Sequence, residues 1–147
     1  MSDGNSEPET RQAVAVAVRR ADGLVLAVRR PDEPGEDLPG IWGLPAATLR
    51  AGETPDGAVR RLGREKLGVE LAPLARARSG AQPREGYTLH MTLYEAATSG
   101  TPRLAARIAN AAETLYEAVD WLPVSAFQEA AGKGSLCCRL LLEAEGP

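Results

Sequence analysis

The sequence predicts an α/β sandwich, in which a central mixed β-sheet lies between helices. Residues Ala13 to Val18 alternate small and β-branched side chains, which is typical of a strand buried on both faces. Thr54-Pro55 predicts the start of a helix, and Gly68 predicts its end. With the strand-like segments on either side, the order of elements becomes β-β-β-α-β-β-β-α, and that order favours a mixed sheet covered by helices.

The first three strands lie before the predicted helix. Asp22-Gly23 is a hairpin turn signal, so we expect Leu24 to Val28 to return as the second strand. Residues 31–40 contain three prolines and two glycines, which predicts a loop. The short apolar segment from Ile41 to Leu44 then predicts the third strand.

The predicted helix begins with Thr54 as its N-cap and Pro55 as its first residue, and it runs to about Leu67. Gly57 and Gly63 inside it weaken the helix by about 1 kcal/mol each relative to alanine, so tertiary packing must stabilise it. The rest of the chain predicts three strands, two connectors and two closing helices. These are strands Val69–Ala77, Tyr87–Ala96 and Leu115–Leu122, connectors 78–86 and 97–112, and helices near Phe127 and at Leu136–Leu142.

Length and charge limit the domain organisation and the function classes. The 147 residues predict one domain over 12–145, after a disordered tail at 1–11 that lacks the apolar core of a secretory signal. The net charge of −3 argues against direct nucleic-acid binding, and no apolar run is long enough to cross a membrane. Adjacent Cys137 and Cys138 favour core thiols in a reducing cytoplasm.

The segment from Leu44 to Leu71 contains the most informative motif. It resembles the Nudix box, G-x5-E-x7-R-E-U-x-E-E-x-G-U, where U is a bulky apolar residue. With Glu53 aligned to the first glutamate of the box, the conserved arginine falls on Arg61 and the second glycine on Gly68. Of the three remaining glutamate positions of the box, one still holds a glutamate, Glu65. The other two hold Leu62 and Lys66.

The resemblance to the Nudix (MutT-like) hydrolase family extends over nearly the whole domain and implies its α/β/α sandwich. It implies hydrolysis of a nucleoside diphosphate linked to another group, with Mg²⁺ or Mn²⁺ held by carboxylates against the diphosphate. It also implies a salt bridge between Glu53 and Arg61 that braces the box. Ala46 and Ala47 stand where the family has glycines and uses a backbone carbonyl on the metal, so we expect a strained or altered loop if φ is positive there.

The box departs from the family pattern where the chemistry occurs. On an ideal helix positions 62, 65 and 66 share one face, and here that face holds a leucine, a carboxylate and an ammonium. Because a lysine beside Glu65 repels Mg²⁺, we expect weak or lost hydrolase activity and a retained cleft for a nucleotide or another phosphate-bearing molecule. The expected substrate-binding cations are Arg29 or Arg30 and, on the helix, Arg61, Arg64 and Lys66.

Several alternatives stay open from the sequence. An active hydrolase would combine Glu53 and Glu65 with a base outside the box, of which Glu85 is the best candidate, before Glu113 and Glu117. Glu65 either retains a metal ion or pairs with Lys66 or an arginine, and Lys66 is either a solvated charge or a phosphate ligand. A protein-interaction module is the third function class, and a homodimer is compatible with all three. We interpret His90 as a satisfied strand histidine and not as an acid or base, and Trp42 and Trp121 as packing residues of the core or of the cleft wall.

Overall fold

The computed structural model describes residues 9–30, 38–104 and 116–145. Within these residues, seven strands, three α-helices and two short helical turns follow one another along the chain. They are β1 Glu9–Val18, β2 Val25–Arg29, β3 Trp42–Gly43, β4 Ala46–Thr48, α1 Pro55–Leu62, a π-helical turn Gly63–Leu67, β5 Glu70–Arg84, β6 Tyr87–Ser99, β7 Ala118–Leu122, a 3-10 turn Val124–Phe127, α2 Gln128–Gly132 and α3 Leu136–Glu145.

The strands form two sheets. The larger one has the order β4-β1-β6-β5, and it is mixed because β1 and β6 run parallel while the other neighbours are antiparallel. The smaller sheet is antiparallel and has the order β3-β2-β7. The prediction of an α/β sandwich with a mixed sheet is confirmed.

Strand β1 carries a core on each of its faces. Ala13, Ala15 and Ala17 belong to a cluster with α2 and α3, whereas the intervening valines belong to a second cluster with α1 and the π-helical turn. This division follows from the two-residue period of a strand, which sends successive side chains to opposite faces. The alternation in the sequence therefore predicted this strand correctly, and Cys137 and Cys138 are buried in the first cluster as expected.

The prediction of a hairpin at Asp22-Gly23 is wrong beyond the residues next to the turn. Arg19 and Val25 form an isolated antiparallel bridge across the turn, but β1 and β2 then enter different sheets. Each strand is paired on both edges with other strands, β1 with β4 and β6, and β2 with β3 and β7. The turn sequence fixes only the local reversal of the chain.

The predicted connector 78–86 is largely strand, and the first three residues of the predicted connector 97–112 are strand as well. Residues 78–84 continue β5, so that the connector between β5 and β6 is only the turn Glu85-Gly86, and β6 runs on to Ser99. The predicted strand Leu115–Leu122 is observed as Ala118–Leu122. β1 begins at Glu9, within the expected tail, while residues 1–8, most of the 31–40 loop and Glu113 lie outside the described residues. No described helix is long and apolar enough to span a membrane.

Candidate functional site

The helix that carries the box residues is capped at both ends as the sequence predicts. The Thr54 hydroxyl accepts a hydrogen bond from the Gly57 N–H at 3.0 Å, and Gly68 ends the segment with φ of 66°. Between these caps the α-helix changes to a π-helical turn at Gly63. A Cβ at Gly63 would lie 2.7 Å from Leu71 Cγ and 2.8 Å from the Val69 carbonyl oxygen, so only glycine allows this close approach to β5.

Glu53 and Arg61 form a nearly buried ion pair. Arg61 Nε lies 2.7 Å from Glu53 Oε2, and Nη2 donates to Glu53 Oε1 at 2.9 Å and to the Thr48 carbonyl at 2.8 Å. The Arg61 side chain is 7% exposed and the Glu53 side chain 16%. The Arg61 hydrogen bond is the main reason that the pKa of Glu53 lies below its usual value. The pair therefore fastens the helix to the β4 end of the sheet.

The three expected glutamate positions do not form one open face. Leu62 is fully buried and packs in the core beneath α1, which corrects the expectation that positions 62, 65 and 66 face the cleft together. Glu65 is half-buried, and its Oε1 lies 3.0 Å from Arg50 Nη2 and 3.8 Å from Arg61 Nη1. The single carboxylate left at these positions is thus held between two guanidinium groups.

Lys66 contacts the backbone of β4. Its ammonium donates to the Ala46 carbonyl oxygen at 3.2 Å and lies 5.3 Å from the centre of the Tyr116 ring. The Tyr116 hydroxyl donates to the same carbonyl at 3.1 Å and accepts from the Ala46 N–H at 3.0 Å. Ala46 and Ala47 lie in β4, and neither has a positive φ, so the expected strain at these alanines is absent. A cation is fixed against the backbone carbonyl at this position.

A cleft of about 470 Å³ opens beside this contact. It is lined by Ala13 of β1, by side chains of β6, by β4 and the chain that follows it, and by the N-terminal end of α3. Four cationic side chains and two tyrosines line the cleft, and none of the described residues that line it is acidic. They are Arg30, Arg50, Lys66, Arg84, Tyr87 and Tyr116.

The predicted site residues Arg29, Arg64 and Glu85 do not line this cleft. Arg29 forms an ion pair with Glu117 at 2.7 Å, and its neighbour Arg30 lines the cleft instead. Arg64 is exposed and lies 3.6 Å from Glu70. Glu85 is exposed in the turn between β5 and β6, next to the cleft-lining Arg84.

The aromatic and imidazole side chains of the sequence analysis are also outside the cleft lining. Trp42 and Trp121 are partly buried, and each packs against one of the two cores. The Arg29 guanidinium lies over the Trp42 ring, and the Arg20 guanidinium lies over the Trp121 ring. His90 is exposed on β6.

Comparison with known proteins identifies this arrangement. The family model described as NUDIX domain matches residues 9–137, which include both sheets, the box and the start of α3. The chain belongs to the Nudix family. The matched range contains Glu53, Arg61 and Gly68, the glycine that ends the box helix.

Curated Nudix relatives match about half of the chain. An RNA pyrophosphohydrolase of Gluconacetobacter diazotrophicus is 36% identical over 81 residues, which are 53% of this chain and 48% of the relative. A MutT-like protein of Streptomyces ambofaciens is 36% identical over 69 residues, which are 47% of this chain and 41% of the relative. The chain thus spans about half the length of the curated relatives that it matches.

Solved Nudix structures match more of the chain at lower identity. The MutT protein of Methanosarcina mazei Go1 has a TM-score of 0.73 and 14% identity, with 96% of each chain covered. A MutT Nudix hydrolase of Burkholderia pseudomallei has a TM-score of 0.64 and 26% identity, with 80% of this chain and 85% of that one covered. The similarity to the Methanosarcina protein establishes the fold alone.

Nudix hydrolases generally use divalent metal ions, but the box residues of this chain do not fit one. A divalent ion such as Mg²⁺ requires several oxygen ligands, of which carboxylates supply the charge. Here Glu65 is paired with Arg50 and Arg61, and the Lys66 ammonium occupies the Ala46 carbonyl. Across the described residues, no group of three or more His, Cys, Asp or Glu side chains could hold a metal.

Sequence reasoning did not assign Arg50, Arg84, Tyr116 or Cys137 to the Nudix cleft. Arg50 precedes Glu53 by three residues. Its spacing to Glu65 does not predict their ion pair, because the two side chains come together only in the folded chain. Arg84 was placed in a connector, although it ends β5. Cys137 lies at the start of α3 and lines the cleft. A hydrogen bond with the Cys138 thiol is the main reason that its pKa is lowered; a hydrogen bond with Ser135 lowers the pKa further, although burial raises it.

Proposed function

We propose that this Nudix-fold protein binds a nucleotide or another phosphate-bearing small molecule in the cation-lined cleft, with weak or lost hydrolase activity. The observation that carries the proposal is the state of Glu65, the single carboxylate at the three expected positions. It forms ion pairs with Arg50 and Arg61 instead of facing a position where a metal ion could sit. Cleavage of a pyrophosphate needs a cation that neutralises the phosphate charge and a base that activates water. In the family these come from metal ions and the box glutamates, and this box lacks two of those glutamates.

The character of the cleft favours ligand binding over a protein-interaction module. An interaction module would have a filled, apolar cleft, whereas this one is open and lined by four cations. Its volume of about 470 Å³ lies within the range of small-molecule sites, which is roughly 300–1,000 Å³. The two tyrosines provide aromatic surface beside the cations, as a ligand with a base or sugar and phosphate groups would require.

An assay of hydrolysis tests the loss of activity. The substrate panel contains nucleoside triphosphates, ADP-ribose, dinucleoside polyphosphates, oxidised dGTP and a 5′-triphosphorylated RNA oligonucleotide, the last because two curated relatives are named RNA pyrophosphohydrolase. We expect no turnover above background with millimolar Mg²⁺ or Mn²⁺. Turnover in the usual enzyme range of about 1–10³ s⁻¹ on any of them would refute the proposal.

The same assay separates the rival hypothesis of an unorthodox hydrolase. That hypothesis requires a base outside the box, and Glu85 is the candidate because it follows Arg84 at the cleft. If wild type hydrolyses a substrate, Glu85→Gln should remove the activity, whereas Glu129→Gln should not, since Glu129 is exposed on α2 and pairs with Lys133. A loss of activity specific to Glu85→Gln would establish the rival.

A further inference from the structure

We infer that Cys137 is a nucleophilic thiol that lines the cleft, and that hydroperoxides oxidise it there to a sulfenic acid. The inference goes beyond the proposed function, because binding of a phosphate-bearing molecule requires no covalent chemistry from a thiol. Its test uses the protein without a ligand, so its success or failure is separate from that of the proposed function.

The two cysteines of the chain are adjacent in sequence but lie in different surroundings. Cys137 is 5% exposed, and it lines the cleft of about 470 Å³. Cys138 is fully buried, and its Sγ lies near β3, where a Cβ added to Gly43 would be 3.6 Å away. Because hydrogen peroxide is little larger than water, it can reach Cys137 through the cleft, whereas Cys138 is covered by the core.

The Ser135 hydroxyl is placed to stabilise a thiolate at Cys137. Ser135 directly precedes α3, and its Oγ accepts a hydrogen bond from the Cys138 N–H at 3.4 Å. The same Oγ lies 3.5 Å from the Cys137 Sγ. Since the oxygen already accepts from the Cys138 N–H, the hydroxyl can donate its own proton to the sulfur. A donor to the anionic form favours the thiolate, which is the nucleophile.

The position of Cys137 in α3 acts in the same direction. Cys137 is the second residue of this ten-residue helix, and the N–H groups at a helix N-terminus favour a negative charge. A hydrogen bond from the Cys138 thiol is the main reason that the pKa of Cys137 lies below its usual value. Burial raises that pKa, but Ser135 and then the Arg30 guanidinium lower it further. The pKa of Cys138 is raised by the same contact and by burial, so Cys138 keeps its proton.

The other titratable groups near Cys137 differ from a thiol in their ordinary pH range. Arginine, lysine and tyrosine side chains ordinarily titrate above about pH 9. The described residues of these types that line the cleft are Arg30, Arg50, Lys66, Arg84, Tyr87 and Tyr116. Charged side chains of β5, α2 and α3 form exposed pairs, which are Arg78–Glu143 and Lys133–Glu129. His90 is exposed on β6 and does not line the cleft. A change in reaction rate between about pH 6 and pH 9 therefore reports the thiol.

The oxidation is a balanced two-electron step. The thiolate sulfur attacks one oxygen of the hydroperoxide, a sulfur–oxygen bond forms, and the oxygen–oxygen bond breaks. The sulfur is oxidised and the hydroperoxide is reduced, and the leaving hydroxide or alkoxide takes up the proton that the thiol released. The products are a sulfenic acid on Cys137 and one molecule of water or alcohol.

The experiment measures the reactivity of each thiol in the folded full chain. Alkylation by iodoacetamide is followed from about pH 6 to pH 9, and hydrogen peroxide is added separately with dimedone, which traps a sulfenic acid. Tandem mass spectrometry locates each adduct in wild type, so the assignment needs no variant. Cys137→Ala, Cys138→Ala and Ser135→Ala are compared with wild type, and thermal unfolding verifies that each variant is folded.

We expect one cysteine of folded wild type to react with either reagent, and the adduct to lie on Cys137. Cys138 should react only after unfolding in urea, so folded Cys137→Ala should take up no label. Folded Cys138→Ala should react about tenfold more slowly than wild type at pH 7, because it lacks the main hydrogen bond to the thiolate. The midpoint of its pH profile should move toward the value of an ordinary thiol, about pH 8.5. Ser135→Ala should change in the same direction by a smaller amount.

Four outcomes would overturn the inference. Folded wild type that reacts at neither cysteine until urea is added would show that both are inert core thiols. An adduct on Cys138 would show that the wrong thiol was assigned to the cleft. A rate and a pH midpoint equal to those of N-acetylcysteine would show that the surroundings of Cys137 do not activate it. Alkylation without any dimedone adduct after peroxide would show that the thiol is not an oxidation site.

Discussion

Replacing Arg61 by methionine should lower the stability of the whole domain, because Arg61 is the one buried charged residue in the described part of the chain. The variant leaves Glu53, which is 16% exposed, without its cationic partner and removes the hydrogen bond to the Thr48 carbonyl. Breaking a buried ion pair from one side costs about 3–5 kcal/mol. Glu53 retains a hydrogen bond from the Arg50 N–H, so we expect the lower end, about 3 kcal/mol. For a chain of this size that corresponds to a melting temperature about 6–12 °C lower.

The neighbouring Arg60 supplies a matched control on the same helix. Its side chain pairs with Asp56 at 2.8 Å, but the two are 45% and 60% exposed. An exposed pair of this kind contributes little to stability. Arg60→Met should therefore unfold at nearly the same urea concentration as wild type, and Arg61→Met at a clearly lower one. If the two variants unfold alike, the Glu53–Arg61 pair does not brace the domain.

The pH dependence gives a second test of the same pair. The folded-state pKa of Glu53 lies below its unfolded value, chiefly through the Arg61 hydrogen bond. The pair therefore contributes its full stability above the unfolded pKa, near pH 4.3, and loses it as the pH falls through the folded pKa. The stability difference between wild type and Arg61→Met should shrink as the pH falls below about 4.3. A difference that is constant from pH 7 to pH 3 would contradict this account.

Two further substitutions test the packing of the box helix. Leu62→Glu should lower the free energy of unfolding by about 3 kcal/mol, against less than about 1.5 kcal/mol for Leu62→Met, because it places a carboxylate at a fully buried position. Adding Leu62→Glu to Lys66→Glu should consequently give no Mn²⁺ affinity beyond that of Lys66→Glu alone; a gain measured by calorimetry would mean that position 62 can leave the core. Gly63→Ala should destabilise by about 1–3 kcal/mol, since its Cβ would lie 2.7 Å from Leu71 Cγ, whereas Gly132→Ala, with no atom within 4 Å of the new Cβ, should be neutral or stabilising in urea unfolding. Equal effects at the two glycines would refute the close approach to β5.

Features set by neighbouring residues could be predicted from the sequence. The alternation in β1, the Thr54 cap and the end of the box helix at Gly68 each depend on local backbone preference, and all three are confirmed. Features that depend on distant partners could not be predicted in the same way. Asp22-Gly23 gives a chain reversal, but only the packing of the whole domain decides that β1 and β2 join different sheets.

The error in β5 has a specific physical cause. The part of β5 that was predicted as a connector contains Gly80 and Pro83, and proline interrupts the hydrogen bonds of a sheet. Among the described strands β5 pairs with β6 alone, so it forms one end of the larger sheet, where a strand tolerates proline. In the candidate site, too, features set by spacing in the sequence could be predicted, whereas features that depend on distant partners could not. The box positions were assigned from spacing, while Arg50 stands at an unspecified position of the box, Tyr116 lies outside it, and the contacts of both form only in three dimensions.

The hydrogen bonds to β4 also bear on how the protein avoids self-association. β4 is the strand at the other end of the larger sheet, and a strand at that position invites pairing with a second chain if its backbone groups are available. Tyr116 bonds the N–H and carbonyl of Ala46, Lys66 bonds the same carbonyl, and Arg61 bonds the carbonyl of Thr48. These three side chains, of which Lys66 is the departure from the box pattern, satisfy backbone groups of β4 that a neighbouring strand would otherwise bond, so we expect them to disfavour edge-to-edge pairing.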